Sequence, residues 1–170
     1  MTPTSWLPPL ILAEHFDNDW IRFDRAVYDR FLKDLIHSCP QFRLKRFSIN
    51  KTHKIDGREA IFWHLVSEGP IEKDRTMDPR RWERVPWIKP LIEEFPEARI
   101  RAWTNTRPHK KGGGPEKRIV LAPTDFSYIV VFADKETYAL LISAYAIEYE
   151  WRKEKLKREY QDWKKAGAAF

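Results

Sequence analysis

His64 and Glu68 stand four residues apart in His64-Leu65-Val66-Ser67-Glu68-Gly69, and four arginines follow them at Arg75, Arg80, Arg81 and Arg84. Cleavage of RNA without a metal uses this set of groups. A base takes the proton of a 2′-hydroxyl, an acid protonates the departing 5′-oxygen, and cations hold the charge of the phosphorane. On this reading His64 is the acid or base, and Glu68 is its partner or the alternative base. Arg75, Arg81 and Arg84 hold phosphate and stabilise the transition state, because a planar guanidinium grips two oxygens at once. Arg80 and Trp87 extend the same surface, Trp87 as a face on which an unpaired base can stack.

Two further places carry useful groups. Leu140-Leu141-Ile142-Ser143-Ala144-Tyr145 sets a hydroxyl and a phenol two residues apart, so strand alternation gives Ser143 and Tyr145 one sheet face. They would orient the phosphate or the attacking hydroxyl. The segment from Arg107 to Lys117 holds Arg107, Lys110 and Lys111 beside three consecutive glycines. That is a basic loop able to close over RNA, with His109 in reserve.

Each of these residues also has ordinary structural work open to it. His64 could face the core with its ring satisfied by a carbonyl. Glu68 could cap a loop or pair with an arginine, and Arg80 to Arg84 could be a solvated helix face. Trp82 and Trp87 fit a core at least as well as a base platform. Ser143 and Tyr145 could be core residues with satisfied hydroxyls.

The chain of 170 residues carries 31 Lys+Arg against 25 Asp+Glu, a net charge of +6, with 42% hydrophobic and 14% aromatic residues. This composition excludes a wholly disordered chain and allows an anionic partner. Cys39 is the only cysteine, which excludes an internal disulfide and a cysteine-based zinc site. Gly112-Gly113-Gly114 runs into Pro115, so there is no P-loop, and no Gly-x-Gly-x-x-Gly turn, Gly-x-Ser-x-Gly elbow or zincin histidine pair occurs. No cofactor and no metal is expected. No stretch approaches the ~18 to 20 apolar residues of a membrane span, and Met1 to Ala13 lacks the basic start of a signal peptide. The expectation is a cytoplasmic protein with no membrane partner.

The elements that must position these groups follow from periodicity. Asn18 or Asp17 caps a helix to about Ser38, stopped by Pro40, with Val27, Phe31 and Leu35 on its apolar stripe. Phe42 to Ile49 and Glu59 to Val66 read as strands around a turn at Asp56-Gly57. Ser67 to Asp78 reads as a loop, and Pro79 opens a helical insert broken by Pro86 and Pro90. Ala98 to Thr104, Lys117 to Leu121, Tyr128 to Ala133 and Tyr138 to Tyr145 read as strands, the last two as a hairpin. Glu148 to Lys165 is helical. The class is α+β: a mostly antiparallel sheet of four to six strands with an N-terminal helix, a helical insert and a C-terminal helix. One domain is expected over 1–170, with an arm at 1–17, a core at 18–147 and a C-terminal helix and tail at 148–170.

The elements "AIFWHLVSEG", "DPRRWERVPWIKPLIE", "YIVVFADKETYALLISAYAIEY" and "KLKREY" resemble a group of bacterial and phage-related proteins. The layout is similar to the barnase/EndoU/colicin/RelE-like ribonuclease superfamily, whose four-stranded antiparallel sheet cradles RNA. Its last strand often ends in Ser or Thr and an aromatic, which Ser143-Ala144-Tyr145 matches; His64 would be the histidine supplied earlier. The resemblance implies a metal-independent endoribonuclease, a toxin or phage-conflict nuclease, with RNA as substrate and an antitoxin or immunity protein as partner. The alternatives are a nucleic-acid-binding module without catalysis and a protein-interaction domain using the C-terminal helix.

Overall fold

Asp19 marks the point where the N-terminal arm becomes helix. In the computed structural model, which describes residues 2–107 and 114–170, its carboxylate accepts from the backbone N–H groups of Ile21 and Arg22. Asp17 and Asn18, the expected caps, instead take left-handed φ angles of 57° and 56° and turn the chain into the helix. Helix α1 spans Trp20–Phe31 and buries Phe23, Val27 and Phe31; a π turn, Leu32–His37, extends it and buries Leu35. The arm is packed rather than loose. Leu7 is buried, the Ile11 N–H donates to the Glu83 carbonyl, and the Trp87 indole donates to the Pro8 carbonyl at 2.9 Å.

The expected strand Phe42 to Ile49 is a tight hairpin, β1 (Gln41–Phe42) and β2 (Lys45–Ser48), because Arg43 adopts a φ of 56° in the turn. A second small hairpin, β3 (Lys54–Ile55) and β4 (Arg58–Glu59), leads into α2, Ala60–Val66. This corrects the strand expected at Glu59 to Val66. The buried residues are Phe62, Leu65 and Val66, a three-and-four spacing that seats the segment as a helix. The Ser67 hydroxyl then donates to the Trp63 carbonyl at 2.5 Å, four residues back. Within the expected loop, β5 (Ser67–Glu68) pairs with β6 (Thr76–Met77). The helical insert comprises α3 (Pro79–Glu83), a 3-10 turn (Val85–Trp87) and α4 (Ile88–Glu93).

The meander follows: β7 (Ile100–Arg107), β8 (Glu116–Pro123), β9 (Tyr128–Asp134) and β10 (Tyr138–Ala146), then α5 (Glu150–Lys165). Sheet order is β1-β2-β10-β9-β8-β7, antiparallel throughout except that β2 runs parallel to β10. One face carries Ala102, Ile119, Leu121, Val130, Phe132 and Leu141 against α1 to α4. The other carries Trp103, Val120, Ala122 and Ile129 against Leu156, Tyr160 and Trp163 of α5. The C-terminal helix therefore packs on the sheet through one stripe, fixed by the Trp163 indole donating to the Thr104 hydroxyl at 2.8 Å.

Candidate functional site

The register of β10 decides where Ser143 and Tyr145 point. Ala139 and Leu141 face the helical layer, and strict alternation would send residues 143 and 145 the same way. Instead the pairing with β9 shifts between Leu141 and Ser143, leaving Ile142 as an extra residue. Beyond this bulge Ala144 and Ala146 face the helical core, while Ser143 and Tyr145 turn to the α5 side. One added residue therefore re-aims two polar side chains, a common use of bulges.

They open into a cleft of about 190 Å³ between the sheet and α5. Its floor is built from small branched residues, Val120, Ile129, Val131 and Ile142, which leaves depth between the walls. Asn105 and Arg107 come from β7 and Arg118 from β8; α5 supplies Arg152, Lys155 and Glu159. Among the described residues four cations thus face one carboxylate. Arg152 donates to the Tyr145 phenol oxygen at 3.3 Å and its guanidinium lies 5.2 Å from the ring centre. Arg118 donates to Glu116 at 3.2 Å, and Glu116 also accepts from Lys135 at 2.8 Å. Lys135 and then Arg118 hold the Glu116 carboxyl below its ordinary value against a burial effect of opposite sign. On the opposite face of the sheet, beside Phe42 and Ile119, burial pushes the Asp134 carboxyl up, but Lys45 and Lys117 more than reverse it.

The arginines expected beside His64 divide between this neighbourhood and pure architecture. Arg81, on α3, lies behind the cleft with its guanidinium 4.8 Å from the Tyr145 ring centre, 3.8 Å from the exposed Glu68 and 3.4 Å from Asp78. Glu68, Arg81, Tyr145 and Arg152 thus form one continuous chain of contacts. Arg80 pairs with Asp78 and Glu148 at the surface. Arg75 staples its loop, donating to the carbonyls of His64, Ser67 and Gly69 and to the Ser67 hydroxyl. Arg84 donates to the Arg80 carbonyl and to Glu83, over the Trp87 ring.

Trp87 is no base platform. It is 8% exposed, packs edge-on to Tyr128 at 5.5 Å and commits its indole N–H to Pro8. His64 sits on a helix rather than a strand, half-buried, and lines a different cavity of about 500 Å³ with His53, Trp63, Ser67, Arg75 and Met77. A smaller hollow beside it joins His53, His64 and Asn50 to Ile142, the bulge residue that also floors the cleft. So the structure brings together Ser143, Tyr145 and Arg107, sets Arg81 and Glu68 behind them, and leaves His64, Arg75 and Arg84 outside. Lys110, Lys111 and His109 lie outside the described residues.

Sequence reading missed Asn105, Arg118, Arg152, Lys155 and Glu159. The signal was present in α5, where 152, 155, 156, 159, 160 and 163 form one helical stripe. Its apolar members pack on the sheet and its charged members therefore face the same way. Among the described residues no three of His, Cys, Asp and Glu gather as metal ligands, and no helix is long and apolar enough to cross a membrane. No family model, curated protein or solved structure matches the chain.

Proposed function

We propose that the protein binds RNA in the cleft between the sheet and α5 and cleaves it through attack by the 2′-hydroxyl. The observation that carries this reading is the bulge at Ile142, which turns Ser143 and Tyr145 toward Arg107, Arg118, Arg152 and Lys155. Cations fixed on strands and a helix are aimed before substrate arrives, so they stabilise a dianionic phosphorane without reorganising. In this scheme Arg118, Arg152 and Lys155 hold the phosphate, Ser143 orients a phosphate oxygen, and Tyr145 and Glu159 are the proton-transfer groups. Arg81 positions the Tyr145 ring from behind. His64, first choice from sequence, is replaced in this role.

A second reading, binding without cleavage, is favoured by one observation: His64, Arg84 and Tyr145 do not share a cavity. One experiment separates the two. Purified protein is incubated with labelled RNA in EDTA, products are tested for 2′,3′-cyclic phosphate, and binding is measured in parallel. Cleavage requires Tyr145→Phe to lose about 100-fold in rate while keeping affinity, and His64→Ala to retain activity. Salt-dependent binding with no cleavage of any RNA establishes the second reading. A protein that neither binds nor cleaves RNA refutes both.

A further inference from the structure

Tyr149 and Trp151, at the start of α5, have no packing role that explains them. They are 60% and 65% exposed, against the half-buried stripe formed by Leu156, Tyr160 and Trp163 on the same helix. Their rings stack on each other, inclined by 24° with centroids 6.2 Å apart, and both remain largely open to solvent. The next residue, Arg152, reaches into the cleft and touches the Tyr145 phenol. Aromatic faces and a row of cations are therefore joined through a single peptide unit. The carboxylates nearby do not spoil this surface, since Glu148 pairs with Arg80 and Glu150 with Lys153. The other exposed tryptophan, Trp20, is different: its ring packs edge-on against Trp82 at 5.1 Å.

A ligand that suits both halves must carry flat apolar faces at regular intervals along an anionic thread. We infer that Tyr149 and Trp151 stack unpaired bases of an RNA whose phosphates lie in the cleft, so the substrate is single-stranded. This rests on the cleft being the RNA site, and it adds a substrate class to that reading. In a duplex each base already covers its neighbour's face, and no ring is left for the platform to meet. Unpaired bases present those faces whatever their identity, so the platform selects strandedness rather than sequence.

The test is equilibrium binding by fluorescence anisotropy. The probe is a labelled oligonucleotide with every 2′-hydroxyl methylated, which cannot be cleaved, used alone or annealed to its complement. The wild type should bind the single strand at least about tenfold more tightly than the duplex. Tyr149→Ala/Trp151→Ala should weaken single-strand binding by about fivefold or more, leave duplex binding unchanged and keep the slope of affinity against salt. Tyr149→Phe/Trp151→Phe should restore most of the loss. Both rings are exposed, so the far-ultraviolet circular dichroism and melting temperature of the alanine variant should match wild type. Arg118→Ala serves as the control on the cleft and should reduce both affinity and salt slope. Wild-type affinity in the alanine variant, or an equal loss on single strand and duplex, overturns the platform while the cleft reading stands. If the wild type binds neither probe, the cleft reading fails and the platform with it.

Discussion

Arg58 fastens the helix α2 to the helix α1, and replacing it should show how much of the fold depends on one guanidinium. Its two terminal nitrogens each donate to Asp24 at 2.6 Å, with both side chains about one-fifth exposed. The same cation lies 4.4 Å from the Tyr28 ring centre and 5.3 Å from those of Phe62 and Trp63. An exposed ion pair contributes at most about 1 kcal/mol, and breaking a fully buried one costs about 3–5 kcal/mol. At this burial the bidentate pair is worth about 2 kcal/mol. Three rings sharing one charge add about 1 kcal/mol. Arg58→Ala should therefore destabilise the protein by about 3 kcal/mol. Arg58→Lys keeps the charge but loses the fork and the flat stacking face, and should cost about half as much. Urea unfolding followed by circular dichroism gives both values, provided the slope with denaturant is unchanged. A loss under about 1 kcal/mol for the alanine variant would refute the argument.

The remaining expectations concern pH, the bulge and the seat of α5. The Glu116 and Asp134 carboxyls are held below their ordinary values of 4.5 and 3.8 by lysine and arginine neighbours. A depressed carboxyl stabilises the fold above its unfolded value and loses that contribution as pH falls through its folded value. Urea stability should thus be level near neutrality and fall below about pH 4.5, and Glu116→Gln should flatten part of that acid slope. Burial and the hydrogen bond to Glu59 push the Tyr28 phenol from 10.0 up to about 12, and burial raises Tyr128 too. Among the six tyrosines these two should ionise last in a phenolate absorbance titration, and Tyr28→Phe should remove one late step. The Tyr28 contribution is present below its unfolded value of 10.0 and lost as pH rises toward 12. Deleting Ile142 takes out the extra bulge residue and leaves the faces of β10 unchanged, so it should keep a cooperative melt. Deleting Val130 from the regular strand β9 should abolish folding, because a one-residue slip reverses its faces. Thr104→Val leaves the Trp163 indole without its partner, should cost about 1 kcal/mol, and should weaken RNA binding by loosening one wall of the cleft.

Periodicity revealed the parts of the fold where polar and apolar residues alternate clearly. The stripe of α1, the four strands of the meander and the helical C-terminus all have that contrast, and each was readable within a few residues. From Ala60 to Val66 only His64 is polar, so periods of 2 and 3.6 leave the same trace, and the choice rests on tertiary packing against β10, α3 and the rings of α1. Arg43 ended the first expected strand early by taking a left-handed turn that its residue type does not advertise. The pairing of Ser143 with Tyr145 on one face was legible, but the face itself was not. That depended on a register shift between β9 and β10, which no local pattern records. The arginines from Arg75 to Arg84 looked like one site because they are close in sequence. In space Arg75 binds carbonyls, Arg84 covers a tryptophan, and only Arg81 reaches the phenol.

Strand β2 joins the sheet by lying parallel to β10, with Arg46 opposite Tyr138, about 90 positions apart in the chain. The meander pairs strands that are consecutive in the chain, whereas this pairing must close more than half of the chain into one loop. Loop closure of that length slows folding and costs entropy before any contact returns it. During synthesis Phe42 and Phe47 therefore emerge from the ribosome long before Phe132, the ring both of them finally pack against. The first half of the protein has no finished sheet to rest on until the last strand arrives. Synthesis runs from the N-terminus, whereas the sheet's pairings between consecutive long strands all lie in the second half of the chain.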